Sequence, residues 1–255
     1  MLILQLTDFH ATAPGLMLGD AVDTRAAFER LIAHVATLAP QPDLIVVSGD
    51  LAEVGTVEEY AFVAAGLRGL RLPFVVLPGN HDRREPLRQA FTAETGAEPG
   101  HLAFVRDCGD VRVIGLDTLV EGASHGALGA AQFDWLEQAL KTCGDRPVLI
   151  AMHHPPFATG LPAMDAIGLI EGGERLARLL QSCPAVVGIV CGHVHRAIGG
   201  CFAGIGAVVA PSASHQFALD FVGTERFDIV REPPQIMLHR IEGCVLTHYL
   251  LACPA

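Results

Sequence analysis

Five times along this chain a short apolar run ends in a cluster of carboxylate, amide or imidazole side chains. Leu2-Ile3-Leu4 leads to Asp8-Phe9-His10, Leu44-Ile45-Val46-Val47 to Gly49-Asp50, and Phe74-Val75-Val76-Leu77 to Gly79-Asn80-His81-Asp82. Val148-Leu149-Ile150 leads to His153-His154-Pro155-Pro156, and Val186-Val187-Gly188-Ile189-Val190 to Gly192-His193-Val194-His195. Continuous apolar runs of this length read as buried strands. Between and after them, apolar residues recur near helical spacing over about Thr24–Leu38, Val57–Leu67, Glu85–Phe91, Ala130–Lys141 and Gly173–Gln181. Alternating strands and helices predict an α/β fold, in which ligands bind beyond the carboxyl ends of the strands. All five donor clusters can then reach one place.

The rest of the chain adds antiparallel structure. Leu102–Val105 and Val111–Leu116, separated by the turn-like Asp107-Cys108-Gly109-Asp110, predict a hairpin. Ala207–Ala210, Gln235–Arg240 and Val245–Leu250 predict further strands, with a turn at Glu242-Gly243, so the part from about 197 to 255 is β-rich. Two packed sheets flanked by helices, in a single domain of 255 residues, account for this order. The longest uncharged stretch, Ala197–Leu219, is interrupted by Gly199, Gly200, Gly204, Gly206 and Pro211. It suits short strands and a loop rather than a membrane span. Asp8 and His10 stand where a cleavable leader would lie, which points to a soluble cytoplasmic protein without a membrane partner. A net charge of -11 argues against a nucleic acid polymer as partner, and so against a nuclease. The seven cysteines form no C-x-x-C pair and read as small reduced thiols. Cys191, beside Gly192-His193, is the single thiol placed where ligation is conceivable.

Carboxylate and imidazole donors without thiolate suit Mn, Fe, Zn or Co. Asp8, His10, Asp50, Asn80, His153, His193 and His195 outnumber the needs of one tetrahedral ion, so two divalent or trivalent metal ions are the economical reading. Asp8 and His10 are two apart, as are His193 and His195, so each pair can face one side. A carboxylate such as Asp50 can bridge two cations. Asn80 offers a neutral carbonyl oxygen. His81 follows Asn80 directly and cannot easily reach the same ion, which leaves it to protonate a leaving oxygen or hold a phosphoryl oxygen. Asp82 is placed to orient His81 or the loop. Of the neighbours His153 and His154, whose side chains diverge, only one can be a ligand. No Walker-type loop or Ser or Cys triad is apparent.

The ordered blocks D-x-H, G-D, G-N-H-D, H-x-P and G-H-x-H resemble the calcineurin-like metallophosphoesterases from about Met1 to His195. The resemblance is strongest to the class III cyclic-nucleotide phosphodiesterases and their glycerophosphodiesterase relatives. It implies a four-layer αββα sandwich of two mixed sheets flanked by helices. It also implies a first metal on Asp8, His10 and His195, a second on Asn80, His153 and His193, and Asp50 between them. By the same resemblance His81, with Asp82 nearby, is catalytic, and the nucleophile is a metal-bound hydroxide. His154 then either supports the ligands from behind or forms a wall beside the substrate, and His215, in Ser212-Ala213-Ser214-His215-Gln216, lines the substrate pocket. The implied substrate is a small phosphodiester, a cyclic nucleotide or a glycerophosphodiester, and a homo-oligomer such as a dimer is open. Glu53 stands where purple acid phosphatases place a tyrosine, and the G-D-x-x-D-R-G and G-N-H-E patterns of Ser/Thr phosphoprotein phosphatases are missing. A phosphomonoesterase or nucleotidase on the same core, or a metal-free interaction module, are the competing readings.

Overall fold

A computed structural model describes residues 1–19, 21–223 and 227–253. β1 (Leu2–Leu6), α1 (Thr24–Ala36), β2 (Leu44–Val47), α2 (Val57–Gly69), β3 (Phe74–Val76) and α3 (Arg84–Ala90) come first. The middle holds β4 (Phe104–Cys108), β5 (Val111–Leu116), β6 (Gly126–Ala127), α4 (Ala130–Lys141), β7 (Val148–Met152), α5 (Pro162–Asp165), β8 (Leu169–Glu171) and α6 (Gly173–Gln181). β9 (Val186–Cys191), β10 (Ile198–Phe202), β11 (Ile205–Val209) and β12 (Gln216–Phe217) follow, then β13 (Ile229–Val230), β14 (Gln235–Glu242) and β15 (Val245–Ala252).

Two large sheets stack. One runs β15-β14-β1-β2-β3, the other β10-β11-β9-β7-β5-β4. In the first, β1, β2 and β3 are parallel and β14 joins β1 antiparallel. In the second, β5, β7, β9 and β11 are parallel, with β4 and β10 antiparallel at the edges. Successive strand residues face opposite sides, and the packing follows that period. Leu4, Leu6, Ile45 and Val47 meet Phe28, Leu31, Tyr60 and Leu67 of α1 and α2. Ile150, Met152 and Ile189 meet Phe133, Leu136, Leu176 and Leu180 of α4 and α6. The alternate residues Ile3, Leu44, Val46, Val75, Leu149, Ala151 and Val190 fill the layer between the sheets. This is the αββα sandwich.

Local signals fix the helix starts. Asp23 caps α1 by accepting from the Ala26 amide, and Thr56 and Glu59 form a reciprocal capping box at α2. The first hairpin differs from its sequence expectation. β4 continues to Cys108, which pairs with Val111 across Gly109-Asp110. Asp107 stays in the strand because Arg112 and Arg146 both pair with its carboxylate. The uncharged stretch folds as β10, β11, a loop and β12, and no helix among the described residues is long and apolar enough to cross a membrane.

Candidate metal centre

The loops after β1, β2, β3, β7 and β9 converge, and each carries one expected donor cluster. Among the described residues, seven non-glycine positions have positive φ, and five are expected donors: Asp8 (55°), His10 (47°), Asp50 (52°), His193 (74°) and His195 (58°). Side chains with a Cβ rarely adopt this left-handed conformation, so its concentration here marks a constrained site. Gly49 and Gly79 make room for it. A Cβ on Gly49, where φ is +108°, would lie 2.3 Å from His153 Nδ1, and one on Gly79 would lie 2.2 Å from Asp50 Oδ1.

Asp50 stands at the centre. Its Oδ1 accepts from the His81 amide at 2.8 Å, while Oδ2 lies 3.5 Å from His10 Nε2 and 3.3 Å from His153 Nε2. On one side His195 Nε2 is 3.1 Å from His10 Nε2 and 3.4 Å from Asp8 Oδ1. On the other, Asn80 Oδ1 is 3.2 Å from His153 Nε2 and 2.9 Å from His193 Nδ1. Ligands about 2.0–2.2 Å from one ion stand about 2.8–3.6 Å apart in tetrahedral or octahedral geometry. The spacings fall in that range.

The hydrogen-bond chemistry also fits cations. His10 Nδ1 donates to Glu53 Oε2 at 2.8 Å, and His195 Nδ1 donates to the His215 carbonyl at 3.2 Å. Their Nε2 atoms therefore face each other as two lone pairs unless a proton or a cation lies between them. His153 Nδ1 donates to the Ser48 carbonyl at 2.8 Å, so its Nε2 would point a lone pair at the oxygens of Asn80 and Asp50 unless a proton or a cation lies between them. The donor set thus suits metal binding.

Electrostatics agree. Burial opposes charge on His10, but its hydrogen bond with Glu53 and the carboxylates of Asp50, Glu53 and Asp8 raise it to about 9. His153 also reaches about 9, burial being outweighed chiefly by Asp50. Despite burial, Asp50 is held well below the usual carboxylate range, chiefly by His153. Burial lifts Asp8 to about 6. Burial and the charge of His153 lower His193 to about 3, and burial with nearby His215 and His10 keeps His195 neutral. Protons on His10 and His153 offset the carboxylates where cations would otherwise do so.

The remaining expected residues take different places. His81 is 36% exposed, donates from Nδ1 to the Glu53 carbonyl at 2.9 Å, and lines the pocket. The Asp82 carboxylate has partners other than the His81 ring. It accepts from the Leu51, Ala52 and Gly79 amides and the Tyr60 hydroxyl, and so pins the loops after β2 and β3. His154 is fully buried behind His153 and His193, with Nδ1 on Thr118 Oγ1 and Nε2 on the Ser124 carbonyl. With both nitrogens occupied it stands behind the site, supporting the ligands rather than forming a wall, the first of the two places the sequence left open for it. His215 packs its ring 4.4 Å from that of His195, its Nδ1 bonded to Ser214 Oγ. Cys191 is buried, and its carbonyl, not its thiol, is engaged, by Gln5. Glu53 is the residue that sequence reasoning missed: it joins His10 to His81, and only its position just after Asp50 hinted at this.

A cavity of about 210 Å³ opens above these residues. Its floor is His10, Asp50, Asn80, His81, His193 and His195, and its sides are Ser124, Met164, Ile167, Phe217 and Phe227.

Comparison with known proteins bears on this arrangement. A family model described as calcineurin-like phosphoesterase matches residues 1–197. A probable glycerophosphodiester phosphodiesterase GpdQ of Arcobacter nitrofigilis is 38% identical over 240 residues, covering 94% of this chain and 88% of that protein. The 3',5'-cyclic adenosine monophosphate phosphodiesterase CpdA of Escherichia coli is 32% identical over 215 residues, covering 84% of this chain and 77% of its own. Among solved structures, a dimetal phosphatase from Danio rerio superposes with a TM-score of 0.71 at 13% identity, covering 99% of both chains, which speaks to the fold alone.

Proposed function

This chain belongs to the calcineurin-like phosphoesterase family and is a phosphoric diester hydrolase, and on that premise we propose that it works with two metal ions. Asp8, His10 and His195 would hold one, Asn80, His153 and His193 the other, and Asp50 both. The observation that carries the reading is Asp50 Oδ2, between His10 Nε2 at 3.5 Å and His153 Nε2 at 3.3 Å. Bound there, two cations supply Lewis acidity toward phosphoryl oxygens and lower the pKa of water. The chain's own groups do the rest. Left-handed backbone at five donors holds their side chains inward, so the phosphate meets a preformed floor. His81 presents Nε2 to the pocket because Nδ1 is held by the Glu53 carbonyl. From there, when the ring carries a second proton on Nε2, it can give that proton to the departing alkoxide oxygen and keep the Nδ1 proton on the Glu53 carbonyl. Asp82 keeps His81 in place indirectly, by fixing the backbone on either side of Asp50 and Asn80.

The substrate reading is a small phosphodiester, and it draws support from charge. Among the described residues no lysine or arginine lines the pocket, so a monoanionic diester is matched better than a dianionic monoester. Elemental analysis of metal-loaded protein should give two ions per chain, with anomalous scattering placing both against Asp50. One ion at saturating metal would overturn the binuclear reading. Hydrolysis of an aryl diester and an aryl monoester of the same phenol separates the activities, since the leaving group is constant. The diester should show the larger kcat/KM, and the reverse ranking would favour the monoesterase.

A further inference from the structure

The aromatic rings of the site form a row. The His81 ring centroid lies 4.6 Å from that of His10, His10 lies 4.9 Å from His195, His195 lies 4.5 Å from Phe217, and Phe217 lies 5.7 Å from Phe227. The row has a polar, proton-donating end at His81 and an apolar end at the two phenylalanines. Met164 and Ile167 line the same cavity. Phe227 keeps 45% of its surface exposed while its ring meets Phe217 edge-on. Beyond the floor residues, Ser124 is the one polar side chain among the described lining.

We infer that Phe217, Phe227, Met164 and Ile167 form a subsite for a flat aromatic ester group, the one that stays on phosphorus when the diester is cleaved. The inference rests on the phosphodiesterase reading and adds a direction to it. If His81 protonates the leaving oxygen, the leaving group points toward His81. The retained group then points along the row, away from His81, onto the phenylalanines. A polyol arm placed there would lose its water to apolar walls that offer one hydroxyl in return, a cost for each unmatched polar group. An aromatic ring instead buries its faces against Phe217 and Phe227 in tilted or edge contact.

Phenyl 4-nitrophenyl phosphate and ethyl 4-nitrophenyl phosphate test this, because both release 4-nitrophenolate and differ only in the retained group. The ratio of their kcat/KM values, divided by the same ratio for alkaline hydrolysis without enzyme, reads the subsite. It should exceed unity in the wild type and fall by on the order of tenfold in Phe227→Ala, the range of one ring stack. Phe227→Tyr should restore it. Metal content and Tm of each variant show that the site is intact. A normalised ratio that Phe227→Ala leaves unchanged, with both esters hydrolysed, overturns the subsite and leaves the phosphodiesterase reading standing. Hydrolysis of neither ester by the metal-loaded protein sinks the reading and the subsite together.

Discussion

His81 and His10 share one neighbour, Glu53, through opposite ends of that residue. The carbonyl takes His81 Nδ1 at 2.9 Å, and the carboxylate takes His10 Nδ1 at 2.8 Å. Replacing His81 by alanine should lower turnover about 10²–10⁴-fold for an alkyl leaving group, and less for 4-nitrophenolate, with metal content unchanged. Loss of metal from that variant would make His81 a ligand. Glu53→Gln removes the charge that helps hold His10 near 9, so in metal-free protein it should destabilise most at low pH. The sign follows from linkage: a folded pKa raised from 6.5 to about 9 contributes stability in full below 6.5, and loses it as pH climbs through 9. Urea denaturation of wild type and variant from pH 6 to 10 checks this, and a gap that widens with pH would refute it. The same two protonated rings, His10 and His153, must lose protons to bind cations, so Mn²⁺ affinity should keep rising toward pH 9. Titration by electron paramagnetic resonance reads it directly, and a plateau already at pH 7 would contradict it. His153→Ala should weaken metal binding far more than His154→Ala, whose nitrogens serve Thr118 and Ser124. The convergence of the five blocks was legible because each closes a strand. Glu53 was not, because nothing local shows that its two ends meet histidines from other blocks.

Elements were legible where one face or one run decides them. The helices over 57–69, 130–141 and 173–181 follow from apolar spacing, and the buried parallel strands from continuous apolar runs. Short pieces such as β6, β8, β12 and β13 were not, since two or three residues carry no period and exist through their partners. Gln5 shows the same limit inside a strand that was read correctly. It sits among apolar residues of β1, faces the layer between the sheets, and is fully buried. Its Nε2 donates to Ser48 Oγ at 2.8 Å and to the Cys191 carbonyl at 2.7 Å, while Oε1 accepts from His239 Nε2 at 3.0 Å. One side chain thus ties β1 to the end of β2, to β9 in the opposite sheet, and to β14. Gln5→Leu keeps the volume but strands Ser48 Oγ and His239 Nε2, while the Cys191 carbonyl keeps the Ala210 amide, so it should cost on the order of 2–4 kcal/mol. A shift in the urea midpoint at constant slope measures it, and a change under 0.5 kcal/mol would show that the apolar layer alone sets the sheet spacing.

At the scale of the molecule, three apolar layers do the holding and one polar end does the chemistry. That division explains why a family could be recognised from short blocks: the layers tolerate any well-packed apolar residue, whereas each loop end must supply a particular donor at a particular φ. Gly79→Ala should show how little slack the loop ends have. The new methyl would meet Asp50 Oδ1 at 2.2 Å, so metal stoichiometry should fall below two even if the protein still folds. Full occupancy in that variant would mean that the loops yield more readily than their geometry suggests. A left-handed, β-carbon-bearing residue costs about 1 kcal/mol each, so the five at the loop ends together cost about 5 kcal/mol, comparable to the whole net stability of many domains. A laboratory lineage selected for heat resistance alone should therefore drift toward glycine at positions 8, 10, 50, 193 and 195, and become steadily hardier as it forgets its trade.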